Sequence, residues 1–187
     1  MINDNTFHKP VFVEHILENL SILNDSVVID GTLGFGGHAS AILEKNPSAH
    51  YIGFDKDIDA INYASTRCEK YINFQSVNRP FSTMFDFFHS NKINPSHILL
   101  DLGISSYQID HSNRGFSFQK NELLDMRMDL SNSFTAQLLL EQYDVNELTQ
   151  LFIEGDLKNA SAIAGEIIKK SANSKLVSTN DLIECIK

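Results

Sequence analysis

Short apolar runs alternate with helical patterns along the first hundred residues. The runs are four to six residues long and are typical of buried strands. They cover residues 27–30, 50–55, 74–77 and 97–101. Between the second and third runs, Asp57 is placed to cap a helix that carries Ile58, Ile61, Tyr63 and Ala64 on one face. The alternation predicts an α/β fold with a parallel sheet and right-handed crossovers.

The pattern changes after residue 103. From Gly103 to Ser133 no hydrophobic period is found, and a connection of that length is usually functional. Only helical patterns follow, with Asp144 and Glu147 as a capping pair and Leu157 near the start of a longer apolar stripe. The predicted helices cover 135–141, 144–153 and 156–170, and a last one begins at 178–179.

Composition excludes several classes of protein. Of the 187 residues, 42% are hydrophobic and 21% are charged, which is typical of a globular chain and rules out a disordered one. The net charge of −9 argues against a uniformly basic nucleic-acid surface. Cys68 and Cys185 form no ligand cluster, so we expect no metal, no disulfide framework and a cytoplasmic setting. No apolar run approaches the ~20 residues of a membrane span, so no membrane partner is expected.

The candidate chemistry begins in a glycine-rich turn. Residues 30–38 follow the first strand and open a helix, where α/β folds bind nucleotide-like cofactors. Asp55 ends the second strand, where an acid commonly accepts ribose hydroxyls. A carboxylate at Asp30 would repel a pyrophosphate and suit an ammonium group. The pattern therefore favours S-adenosylmethionine and disfavours a nucleotide-dependent oxidoreductase.

A third acid, Asp101, closes the fourth predicted strand. Each acid taken alone equally fits a helix cap or a solvated turn. Because the carboxyl ends of parallel strands meet at one edge, acids after three of four strands favour one shared site.

Several longer strings carry a resemblance to a known family. They are residues 8–11, 30–38, 101–106, 108–110, 114–118 and 124–129. In these strings the chain resembles the bacterial ribosomal RNA small-subunit methyltransferase H family. The resemblance implies a Rossmann-like class I S-adenosylmethionine-dependent methyltransferase of the cytoplasm. Its substrate would be the exocyclic N4 of a cytidine in 16S ribosomal RNA, free or in the small ribosomal subunit.

The resemblance also implies roles for individual residues. Cofactor contacts are expected from Gly36, Gly37, His38, Asp55, Phe81, Asp101 and Gln108. Phe81 would pack on adenine or be ordinary core, and His38 would contact the cofactor or merely pack at a helix start. Asp101, or the backbone beside it, is the candidate catalytic acceptor for the amine, although it could serve the cofactor alone. Arg114 and the aromatic rings of 107–118 would meet an unstacked RNA base.

The same resemblance divides the chain into three parts. Residues 1–108 would be the S-adenosylmethionine-binding part, 109–133 an active-site loop, and 134–187 the start of an inserted helical domain. The family's C-terminal strands are expected to be missing, which would expose a hydrophobic sheet edge and favour a homodimer or low stability. The alternative is a truncated, inactive cofactor- or RNA-binding module derived from that enzyme.

Overall fold

Four strands form one sheet in a computed structural model that describes residues 10–173 and 176–187. They are β1 (Val27–Asp30), β2 (His50–Asp55), β3 (Phe74–Asn78) and β4 (His97–Leu99). All pairs are parallel and their order is β3-β2-β1-β4, which confirms the predicted α/β class. The chain leaves β1 toward β2 on one side, and β4 lies on the other side. Ligands of open α/β sheets bind at such a switch, outside the carboxyl ends of the strands.

The two faces of this sheet are covered by different helices. Four helices accompany the strands: α1 (Val13–Asn19), α2 (Gly37–Lys45), α3 (Ile58–Arg67) and α4 (Met84–Asn91), the last preceded by a 3-10 turn at Phe81–Thr83. Val28 and Tyr51 pack with residues of α2 and α3, whereas Ile29 and Phe54 pack with α4. The alternation follows from the two-residue period of a strand.

The chain divides into two compact units, one up to Ser105 and one from Ser106 onward. The second unit contains α5 (Ser106–Asp110), α6 (Ala136–Gln142), α7 (Val145–Glu154), α8 (Ala160–Ser171) and α9 (Thr179–Ile186). Its core gathers residues of α6, α7, α8 and α9 around Leu124, which comes from the irregular segment. The predicted capping pair is confirmed, because Asp144 and Glu147 form a full capping box at α7.

Three details differ from the sequence prediction. Helix α8 begins at Ala160 instead of Asp156, because Asp156 (φ 56°) and Asn159 (φ 59°) have left-handed backbones that interrupt the helical path. Leu157 consequently lies outside the stripe and is exposed. Strand β4 ends at Leu99, two residues before Asp101, because the register pairs Leu99 with Asp30 and β1 ends there. Ile58, in the first turn of α3, is also exposed.

The segment predicted as an active-site loop, residues 109–133, belongs to the second unit. Residues 106–110 form α5, and Leu124 is buried in the helical core. The contacts divide the chain at Ser105, while the boundaries at 108 and 133 stay a prediction. His8 and Lys9 of the family string at 8–11 lie outside the described residues.

Strand β4 forms one edge of the described sheet. Ile98 in β4 is exposed, as are Leu100, Leu102 and Ile104 just beyond the strand. The predicted hydrophobic edge is therefore present, and the homodimer stays a prediction. No helix in the described ranges is long and apolar enough to cross a membrane.

Candidate functional site

The glycine-rich turn between β1 and α2 depends on glycine at two positions. Gly34 (φ 50°) and Gly36 (φ 72°) have left-handed backbones, which cost other residues roughly 1–2 kcal/mol. Gly36 is also the N-cap of α2, and an added Cβ would lie 3.0 Å from the Cβ of Ala64 in α3. The turn is thus held against α3 with its backbone amides close to the carboxyl edge of the sheet.

Asp55 is joined to this turn by a direct hydrogen bond. Its Oδ2 accepts from the Gly34 amide at 2.8 Å, and its Oδ1 accepts from the Asp57 amide at 2.9 Å. Burial raises the pKa of Asp55, and these two backbone hydrogen bonds oppose the shift. Each carboxylate oxygen can accept a second hydrogen bond, so the group retains acceptor capacity for hydroxyls.

Phe81 lies against the first glycine of the same turn. A Cβ added to Gly31 would lie 2.9 Å from the Cβ of Phe81 and 2.4 Å from Cδ2 of Leu100. Phe81 is 42% exposed, so it is not a buried core residue. Together Phe81 and Leu100 give the edge of the sheet an apolar wall of the kind a flat heteroaromatic ring packs against.

Asp30 does not belong to the exposed edge, and the expectation that it would meet a ligand's ammonium group is wrong. Its side chain is 0% exposed because the last residue of β1 faces the core formed with α2 and α3. The Tyr51 hydroxyl donates to Oδ2 at 2.7 Å, and the Thr32 amide donates to Oδ1 at 2.9 Å. Burial raises the pKa of both Asp30 and Tyr51. Two acids, Asp55 and Asp101, remain at the edge.

Asp101 is exposed and lies two residues beyond β4. Its backbone amide donates to Oγ1 of Thr32 at 2.7 Å, which joins it to the glycine-rich turn. Within the described part of the chain, no hydrogen bond or ion pair of its carboxylate is found. The arrangement leaves this carboxylate available to accept a hydrogen bond from a bound molecule.

Gly37 and His38, at the start of α2, are covered by residues 10 and 11. A Cβ on Gly37 would lie 2.4 Å from Cγ of Pro10. Nε2 of His38 is 2.9 Å from the Val11 carbonyl, and the ring is buried. His38 therefore has a partner within the chain, and its cofactor contact stays a prediction.

Gln108 lies in α5 of the second unit. Its side chain is buried, and its backbone carbonyl accepts from the Ser112 hydroxyl at 2.6 Å. Its contact with a cofactor also stays a prediction.

Arg114, expected to meet RNA, is instead buried in the second unit. Its Nη1 donates to the Arg127 carbonyl at 3.3 Å and to the Met128 carbonyl at 3.4 Å. These bonds join two of the strings that carry the family resemblance, residues 114–118 and 124–129. Phe118, by contrast, is strongly exposed and keeps the predicted aromatic character of this segment at the surface.

Comparisons with known proteins show which family the chain is similar to. A profile described as the MraW methylase family matches residues 5–187. The chain is 39% identical over 184 residues to ribosomal RNA small subunit methyltransferase H of Francisella philomiragia, covering 96% of this chain and 59% of that protein. It is 40% identical over 182 residues to the protein of the same name from Amoebophilus asiaticus, covering 96% and 58%. The chain thus spans about three fifths of these relatives' length.

One solved structure overlaps part of the chain. It is an rRNA methylase from Streptococcus thermophilus, with a TM-score of 0.36 and 19% identity, covering 46% of this chain and 49% of that one.

Proposed function

Because this chain belongs to the MraW methylase family, we propose that it binds S-adenosylmethionine and takes part in methylating the exocyclic N4 of a cytidine in 16S ribosomal RNA. The observation that carries the cofactor assignment is the 2.8 Å hydrogen bond from the Gly34 amide to Asp55. It joins an acid at the end of β2 to a glycine-rich turn that opens a helix, as in nucleoside-binding α/β folds.

The residues at the carboxyl edge fit this methyl donor better than a dinucleotide. Asp55 has acceptor capacity for ribose hydroxyls, and Phe81 offers a partly exposed ring for adenine. The exposed carboxylate of Asp101 would attract a cationic ligand and repel a pyrophosphate. Asp101 thus supplies the exposed negative charge that was expected from Asp30.

When bound, S-adenosylmethionine supplies a methyl group on a positively charged sulfur. The remaining work is positioning, which Asp55 and Phe81 would do for the cofactor side of the site. Asp101 would accept an N–H of the cytidine amine, which raises the electron density on that nitrogen. The same carboxylate would then take the proton that the amine loses on methylation. Such a positioned acceptor typically contributes about 10²–10⁴-fold to the rate.

The test is transfer of a labelled methyl group to unmodified small ribosomal subunits and to free 16S ribosomal RNA. Mass spectrometry of the digested nucleosides should show N4-methylcytidine. A methyl group on another atom would contradict the N4 assignment. Binding of S-adenosylhomocysteine without any transfer would instead indicate the alternative, a cofactor-binding module without turnover.

A further inference from the structure

A line of hydrogen bonds runs from the sheet core to the backbone of Asp101. The Tyr51 hydroxyl donates to Asp30 at 2.7 Å. The Thr32 hydroxyl lies 3.4 Å from the other oxygen of Asp30, to which it donates, and it accepts from the Asp101 amide at 2.7 Å. A hydroxyl has one hydrogen to donate and two lone pairs, so Thr32 can make both bonds at once.

We propose that Thr32 is a positioning residue that fixes Asp101 at the candidate site. The proposal rests on the proposed function, because the place of Asp101 matters only if it faces a substrate. The structural basis lies at the end of the pairing between β1 and β4. The Gly31 amide still donates to the Leu99 carbonyl at 2.9 Å, but the next link between the two segments is the Thr32 hydroxyl, which accepts from Asp101.

The support beneath Thr32 is itself well fixed. Asp30 and Tyr51 are both 0% exposed, and a buried carboxylate that loses a donor is left with an uncompensated polar group. Tyr51 and Thr32 therefore hold Asp30 in one orientation. Asp30 in turn holds the Thr32 backbone through its amide at 2.9 Å and orients the hydroxyl.

A purely local role would not explain why the Thr32 hydroxyl also accepts from the Asp101 amide. The bond from the Thr32 amide to Asp30 is an ordinary turn contact between residues two apart, and it needs no side chain on residue 32. The bond to Asp101 joins residues 69 positions apart, across the switch between β1 and β4. It therefore couples the cofactor turn to the candidate acceptor.

The test compares Thr32→Val, which keeps the shape and loses the hydroxyl, with Thr32→Ser, which keeps the hydroxyl. Thr66→Val is the matched control, because the exposed Thr66 hydroxyl bonds to the Asn62 carbonyl of its own helix. The readouts are amide exchange of the full chain by NMR, the affinity for S-adenosylhomocysteine, and the methylation rate at saturating cofactor.

In Thr32→Val, exchange of the Asp101 amide should rise about fivefold or more, as expected for one lost hydrogen bond, while the Gly31 amide keeps its protection. The saturated rate should fall about tenfold or more with the cofactor affinity within threefold of the wild type. Thr32→Ser should restore both values, and Thr66→Val should change neither.

Unchanged Asp101 exchange in Thr32→Val would overturn the proposal, and so would altered exchange with an unchanged saturated rate. An equal rise at Asp101 and Gly31 would also overturn it, because it would mean general loosening. If the wild-type chain binds the cofactor and transfers no methyl group, the reaction assignment fails, and the exchange data alone then decide whether Thr32 holds Asp101.

Discussion

The first unit encloses a sheet between two apolar clusters, whereas the second closes its helices around a long irregular segment bonded through polar side chains. In the first unit the largest fully buried side chains include Tyr51, Phe54 and Ile42. In the second, the Glu122 carboxylate accepts from the Gly115 amide at 2.8 Å, and the Thr179 hydroxyl donates to the Lys120 carbonyl at 2.6 Å. Substitutions in an apolar core lower the free energy of unfolding by graded amounts, whereas a substitution that removes one partner of a buried hydrogen bond loses the whole bond.

The largest expected effect is at Gly115 in the irregular segment. Its φ is +78°, and an added Cβ would lie 2.4 Å from the Leu123 carbonyl oxygen, a backbone atom that cannot move aside cheaply. Gly115→Ala should therefore lower the free energy of unfolding of the second unit by about 3 kcal/mol or more. Urea unfolding followed by NMR signals of each unit measures it.

Gly165→Ala is the matched control, because that glycine lies inside α8 with open space around it. It should stabilise the second unit by about 0.5–1 kcal/mol. Two alanine variants with similar effects would contradict the view that the irregular segment is rigidly fixed.

The next effect separates polar from apolar order. Thr179→Val is nearly isosteric and removes bonds to the Lys120 carbonyl and the Glu122 amide, which leaves the amide of the buried Glu122 unpaired. It should cost the second unit about 2–4 kcal/mol, whereas Ile42→Val in the first unit should cost about 0.5–1.5 kcal/mol. Thr149→Val, at an exposed helical hydroxyl, should cost little. Equal losses of unfolding free energy in Thr179→Val and Ile42→Val would contradict the view that the second unit depends more on buried hydrogen bonds than the first.

Much of the first unit could be predicted from the sequence, because buried strands and amphipathic helices leave a periodic record. The hydrogen-bond partners of polar side chains leave no such periodic record, since they depend on how the strands are aligned with one another. The sequence therefore missed the link from Asp101 to Thr32, and it placed Arg114 toward RNA although its guanidinium is bonded to the backbone inside the second unit. Asp30 was placed at the correct strand end, but its orientation toward Tyr51 required the structure.

The smallest effect concerns pH, and its sign differs between the units. Burial raises the pKa of Asp30 and Asp55 in the first unit. Such a carboxyl group contributes stability below the pKa of about 3.9 that it has in the unfolded chain. That contribution is lost as the pH rises through the raised pKa of the folded state. In the second unit the Arg127 guanidinium lowers the pKa of Asp125, and the Ser178 hydroxyl lowers that of Asp181. Their stabilisation is present above about pH 4 and is lost as the pH falls through their folded pKa values.

Acidification from pH 7 toward pH 3 should thus weaken the second unit relative to the first. Urea unfolding at several pH values, read from signals of each unit, measures the difference. Asp125→Asn should flatten the acid response of the second unit and leave that of the first unchanged. Parallel responses of both units in the wild type would contradict the assignment.

The central claim is that the carboxyl edge of the sheet binds S-adenosylmethionine through Asp55, and titration calorimetry with S-adenosylhomocysteine tests it most directly. Asp55→Ala should weaken binding by about 10–100-fold, the ~1.5–3 kcal/mol of a hydrogen bond to a charged group. Asp86→Ala removes an equal charge from an exposed site in α4 and should bind like the wild type. Thermal unfolding confirms that both variants are folded at the titration temperature. A wild-type chain that does not bind, or a folded Asp55→Ala that binds as tightly as the wild type, would contradict the account.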